Sequence, residues 1–164
     1  MNHINFKVVE QTVKAMKDDP NLAMKKWIAN VSWKNGVQNE LTIREFNPIM
    51  VDEPQPLGGT DIAPNPVEYL VGAAASCFAI TFEVIASQKG IMIETVNVKM
   101  EADLNAAVFL GLQEGDGGIL NPKLILNAKT SASEREVKEI AEVALSKSPV
   151  LLSLNTKIEL TVES

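Results

Sequence analysis

Apolar and polar positions along the chain follow two periods, one near 3.6 residues and one of 2. From Phe6 to Lys17, Val8, Val9, Thr12, Val13 and Met16 recur at helical spacing, and Asp18-Asp19-Pro20 stops the run. Trp27, Ala29, Val31 and Trp33 then alternate with Ile28, Asn30 and Ser32, the pattern of a strand. Asn35-Gly36 is the sharpest hairpin-turn signal in the chain, and Val37, Asn39, Leu41 and Ile43 alternate out of it. Asn47 to Pro66 has no period. It is dense in proline and glycine and reads as a long connection, a class of loop that tends to carry function or subunit contacts.

The next helix is marked before its apolar run begins. Asn65 suits the N-cap, Pro66 the first helical position, and Glu68 the acidic position three residues after the cap. No charge occurs between Glu68 and Glu83, so this helix is expected to be buried on all sides, with Lys89-Gly90 ending it. Val96 to Ala102 alternates as a half-buried strand, and a glycine-rich loop follows through Gly111, Gly115, Gly117 and Gly118. Leu124 to Lys129 alternates again. Ser133-Glu134-Arg135-Glu136 has the form of a capping box, opening a helix with an apolar face of Val137, Ile140, Ala141 and Ala144 that Pro149 ends. Ile158, Leu160 and Val162 form a last strand. The order predicts an α+β fold, a largely antiparallel sheet wrapped on one or two core helices. No repeat or dividing linker interrupts it, so residues 1–164 read as one domain.

Composition narrows the function classes. Hydrophobic residues make up 46% and charged residues 22%, as in ordinary globular chains. The net charge of -6, with no basic patch interleaved with aromatics, argues against nucleic acid as a partner. The uncharged stretch Tyr69 to Phe82 is shorter than the roughly 20 residues of a membrane span, and no membrane partner is expected. Met1 to Lys7 lacks the apolar run of a secretory signal, and a single cysteine fits a reducing compartment, so the expected location is cytoplasmic. One cysteine, one histidine near the start and scattered carboxylates offer no convergent metal ligands; neither metal nor cofactor is expected. Asp52-Glu53 and Glu114-Gly115-Asp116 read as solvated loop charges. His3 is placed on a mobile terminus.

Cys77 is the one candidate nucleophile. It stands about three turns into its helix, too far for the terminal dipole to ionise it, among Ala73, Ala74, Ile80 and Thr81. By these neighbours alone it reads as a small core residue. Glu68, nine residues earlier, lies on the other side of the helix and roughly 13 Å along its axis, so its local role is capping. The only arginines, Arg44 on the second strand of the hairpin and Arg135 in the first turn of the later helix, reach Cys77 only if folding or assembly brings them there.

Asn65-Pro66-Val67-Glu68, Cys77 inside the same helix, the Lys89-Gly90-Ile91 exit, the Val96 to Ala102 strand and Ser148-Pro149-Val150 together resemble the OsmC/Ohr superfamily of osmotically inducible and organic-hydroperoxide-resistance proteins. The resemblance implies an intertwined homodimer with sheets around central helices, and thiol chemistry on hydroperoxides in oxidative-stress defence. It implies that Cys77 is the peroxide-reacting cysteine, with a glutamate and an arginine to help ionise it. Glu68 is displaced by one residue from the family position, where Val67 stands, and Arg44 is the first arginine in the chain. The second cysteine of the peroxidases falls on Ser148, as in an OsmC-like subgroup without it. The implied partners are a second copy, a small hydroperoxide and a thiol reductant. A one-cysteine peroxidase is thus one reading; a non-redox homodimer binding a small apolar ligand, or one without catalytic activity, is the other.

Overall fold

The computed structural model describes residues 1–163. Its contacts divide the chain into two compact units, one of Asn5–Leu70 and one of Met1–Ile4 with the residues from Val71 onward.

The first unit opens with α1 (Phe6–Asp18), capped by the Asn5 side chain, which accepts from the Val8 amide. None of its residues is buried. Pro20 then starts a short 3-10 turn, as its fixed φ and missing N–H favour. The expected strand begins at Asn30 rather than Trp27: β1 (Asn30–Asn35) pairs antiparallel with β2 (Gln38–Thr42). Their turn is Gly36-Val37, one residue later than the Asn35-Gly36 expected. Asn35 pairs with Gln38, and Gly36 alone takes the positive φ, 53°. A strand absent from the sequence reading, β3 (Ile49–Val51), adds to β2 with Leu41 opposite Ile49 and Asn39 opposite Val51. Its three residues, between Pro48 and Pro54, are too few to show a period.

Asp52 corrects another expectation. It is fully buried, not solvated. One carboxylate oxygen accepts from the Thr60 hydroxyl at 2.6 Å and from the Thr60 and Ile62 amides, and the other accepts from the Glu53 amide at 2.9 Å. The loop that follows is folded round this carboxylate. Gly59 completes it, since a Cβ there would lie 1.7 Å from the Glu53 carbonyl oxygen. The Tyr69 hydroxyl donates to the Met50 carbonyl at 2.7 Å, tying the start of the next helix to β3.

That helix, α2 (Pro66–Gln88), runs on into the second unit. Ala74, Phe78, Phe82 and Ala86 recur every four residues and are fully buried, with the two rings stacked at 6.5 Å. They pack with a mixed three-stranded sheet, in which β4 (Ile93–Leu104) and β5 (Ile119–Thr130) are antiparallel and β6 (Glu159–Glu163) joins β5 in parallel. Met100 faces Leu124 and Leu124 faces Leu160, so alternation along each strand supplies one apolar face. Between β4 and β5 lies the single turn α3 (Ala106–Phe109). The capping box of Ser133 and Glu136 opens α4 (Glu134–Lys147), whose Val137, Ile140, Ala141 and Ala144 close the core. A last turn, α5 (Pro149–Leu152), buries Leu151. Burying each phenylalanine is worth roughly 1.5–3 kcal/mol.

Within the single chain α2 is not buried all round, contrary to expectation. Its face away from the sheet carries Gly72, Ala73 and Ser76, all exposed, and Ile80 at 57% exposure. An uncharged run records only that charge is excluded, not what covers each side. Among the described residues α2 is the one helix long and apolar enough, by length and composition, to cross a membrane, its two charges being Glu68 and Glu83. The terminus before α1 is fixed rather than mobile: the Asn2 amide nitrogen donates to the Ser87 hydroxyl and the Ile91 carbonyl, both at 2.8 Å, and its oxygen accepts from the Ile93 amide at 3.1 Å.

The Thr60 hydroxyl, above all, and the surrounding amides hold the Asp52 pKa at about 2, below its ordinary 3.8. A folded-state value below the unfolded one stabilises the protein at pH above the unfolded value and is lost as pH falls through the folded one. Asp52→Asn is expected to be less stable than wild type at neutral pH, with the gap narrowing as pH drops from about 4 towards 2. Urea midpoints across that range check this, and a constant gap would count against it.

Candidate active site

Cys77 sits one residue before the buried Phe78, which turns it about 100° from the core line. It is half-buried, a free thiol on the border between the packed side of α2 and the open one. Of its helical neighbours, Ala74 is buried, Ala73 and Ile80 are exposed, and Thr81 is half-buried. The Thr81 hydroxyl donates to the Cys77 carbonyl at 2.8 Å, a bond to the helix backbone that leaves the sulfur alone. Within its own unit, among the described residues, no hydrogen bond or ion pair reaches the sulfur. The thiol borders the open face of α2.

Glu68 lies where the local reading put it. It is exposed, its carboxylate accepts from the Asn65 amide at 2.8 Å, and its own amide donates to the Asn65 side chain at 2.9 Å. Both bonds of a capping box are made, which commits Glu68 to opening α2. Arg44 is not on the second hairpin strand, because β2 ends at Thr42. It occupies a turn at φ 51° with its guanidinium 4.5 Å above the Phe46 ring, and belongs to the first unit, Cys77 to the second. Ser148 is fully buried, as its continuation of the α4 face indicates, and its hydroxyl donates to the Ala144 carbonyl at 2.7 Å. It satisfies itself on its own helix and has no sulfur to offer.

Sequence reasoning passed over Glu83. It is the only charged residue on α2 after Glu68, it is half-buried, and loss of solvent raises its pKa. The signal was an acid closing an otherwise uncharged run, treated only as the end of that run. His3 and Glu83 line a common cleft in the second unit. No group of three metal-ligating side chains occurs among the described residues.

The OsmC-like protein family model matches residues 58–163, from the loop before α2 through β6. The chain belongs to the OsmC-like protein family. Solved structures share its fold. An OsmC-like protein from Mycoplasma pneumoniae superimposes with a TM-score of 0.73 at 20% identity, covering 85% of this chain and 96% of that one. An organic hydroperoxide resistance protein from Elizabethkingia anophelis gives 0.65 at 18% identity, covering 85% and 94%. An organic hydroperoxide resistance protein OsmC from Legionella pneumophila gives 0.61 at 19% identity, covering 85% and 96%. No curated protein sequence matches the chain.

Glu68→Ala is expected to cost about 1 kcal/mol of stability through loss of the cap, read from the denaturant midpoint. Glu68→Gln, which keeps a capping side chain, is expected to leave the rate of Cys77 alkylation under native conditions unchanged. A slower rate in Glu68→Gln would instead tie its charge to the thiol.

Proposed function

We propose that this protein is a homodimeric, thiol-dependent hydroperoxide reductase working with one cysteine. The observation that carries the reading is a half-buried Cys77 opening onto the uncovered face of a core helix. Support comes from the family and from neighbours of the same fold named as organic hydroperoxide resistance proteins.

The chemistry balances without a second protein thiol. The Cys77 thiol ionises and its thiolate attacks the outer oxygen of the hydroperoxide; the O–O bond breaks, Cys77 keeps that OH as a sulfenic acid, and the departing alkoxide takes up the proton the thiol released and leaves as the alcohol. Ser148 cannot close a disulfide, so the first thiol from solution condenses with the sulfenic acid and releases water. A second thiol attacks that mixed disulfide, restores Cys77 and leaves as the external disulfide. Among the described residues of its unit no hydrogen bond reaches the sulfur, which favours the other reading, a non-redox dimer binding a small apolar ligand, and one experiment separates the two. Wild type with a dithiol reductant is expected to consume an alkyl hydroperoxide, and Cys77→Ser to consume none. Equal turnover by both, or none by either, sinks the peroxidase reading.

The second copy is argued from α2. Ala73, Ser76 and Ile80 present a surface without charge, and small side chains let another helix approach closely. Light scattering is expected to give twice the mass of one chain, and Ile80→Lys to shift the population towards one chain. A wild-type protein of single-chain mass at micromolar concentration would remove the dimer from the proposal.

A further inference from the structure

A cleft of about 400 Å³ lies between α2, the first residues of β4 and the fixed N-terminal segment, within the size range of small-molecule sites. Its walls are of two kinds. Met1, Ile4, Met92 and Val96 supply hydrocarbon; Glu83 and Glu94 supply the carboxylates. The two carboxylates are not equivalent. Glu94 already accepts from the Lys129 ammonium at 2.7 Å. Glu83 is half-buried and, among the described residues, its carboxylate has no hydrogen bond and no ion pair. The wall facing it is held in place, because Asn2 spends all its side-chain hydrogen bonds on Ser87, Ile91 and Ile93, with Asn2 and His3 both at positive φ. A half-buried carboxylate that has gained no protein partner gains a charge-assisted hydrogen bond from a donor cation that enters the cleft.

We propose that this cleft binds a small organic cation, a primary ammonium on a short hydrocarbon body, with Glu83 as its carboxylate partner. The ammonium head donates to Glu83, and the hydrocarbon body lies on Ile4, Met92 and Val96. His3 is exposed at the rim and, among the described residues, makes no ion pair with Glu83. The site uses neither Cys77 nor a peroxide, so it stands or falls apart from the proposed reductase activity.

n-Butylamine at neutral pH is the probe, followed by amide chemical shifts of the full chain. Saturable shifts are expected at Ile93, Glu94 and Thr95, in wild type and in Cys77→Ser alike. Glu83→Gln, which keeps shape and removes charge, is expected to weaken binding about tenfold or more, the worth of one charge-assisted hydrogen bond. n-Butanol, which has the same hydrocarbon body and no charge, is expected to produce no saturable shift. Absence of shifts with the amine, equal affinity in Glu83→Gln, or equal binding of n-butanol each overturns the proposal.

Discussion

The line of Ala74, Phe78, Phe82 and Ala86 along α2 is the contact on which the second unit is built. A repeat of four residues advances about 40° past a full turn at each step, so the buried line winds round the helix. A β-sheet is itself twisted, and such a line follows its surface where a straight stripe would leave it. Alanines stand at both ends of the line, and with the two phenylalanines between them they share one buried cluster with Leu124 and Leu126. Once this side of α2 is committed to the sheet, the opposite side is left with no covering element of its own unit. The border between the two is where Cys77 lies.

That position sets the terms for the thiol. Deeper burial would shut out an oxidant, whereas full exposure would surrender the surrounding apolar wall. The serine at 148 sharpens the demand. Its hydroxyl returns to the Ala144 carbonyl, so the buried polar atom is satisfied without any partner from elsewhere. The position is thereby stable as serine, but an oxygen there forms no bond to an oxidised sulfur. In the proposed reductase, turnover at Cys77 depends on a reductant arriving from solution, and access to the open face becomes part of that chemistry.

Elements with strong local rules were legible in the sequence. Asn65 with Glu68, and Ser133 with Glu136, both form the reciprocal caps that their spacing announces, because each needs only a single turn of chain. The apolar face of α4 and the alternation through Leu124, Leu126 and Leu160 were equally plain. What escaped was set by distant partners. Asp52 reads as a loop charge until Thr60 and Ile62 close round it, and nothing within a few residues of Asn2 foretells hydrogen bonds to Ser87 and Ile93. β3 was hidden because three residues are too few to show a period. The open face of α2 was misread for a different reason: composition cannot distinguish apolar surface that is covered within the chain from surface left free.

Glu68 and Glu83 make the same point in chemical terms. They are identical side chains on one helix, fifteen residues apart. At the N-terminus Glu68 meets an unpaired amide and the positive end of the helix dipole, so its charge is welcome there and its role is architectural. Glu83 lies beyond the reach of that end, beside the wall made by the pinned terminus, and its environment works against the charge it carries. The family resemblance directs attention to the first glutamate because of its nearness in sequence to the expected position. Physical chemistry directs it to the second, since a carboxylate with satisfied hydrogen bonds has little left to offer a ligand, while a half-buried one unpaired among the described residues has more of its interaction still to make.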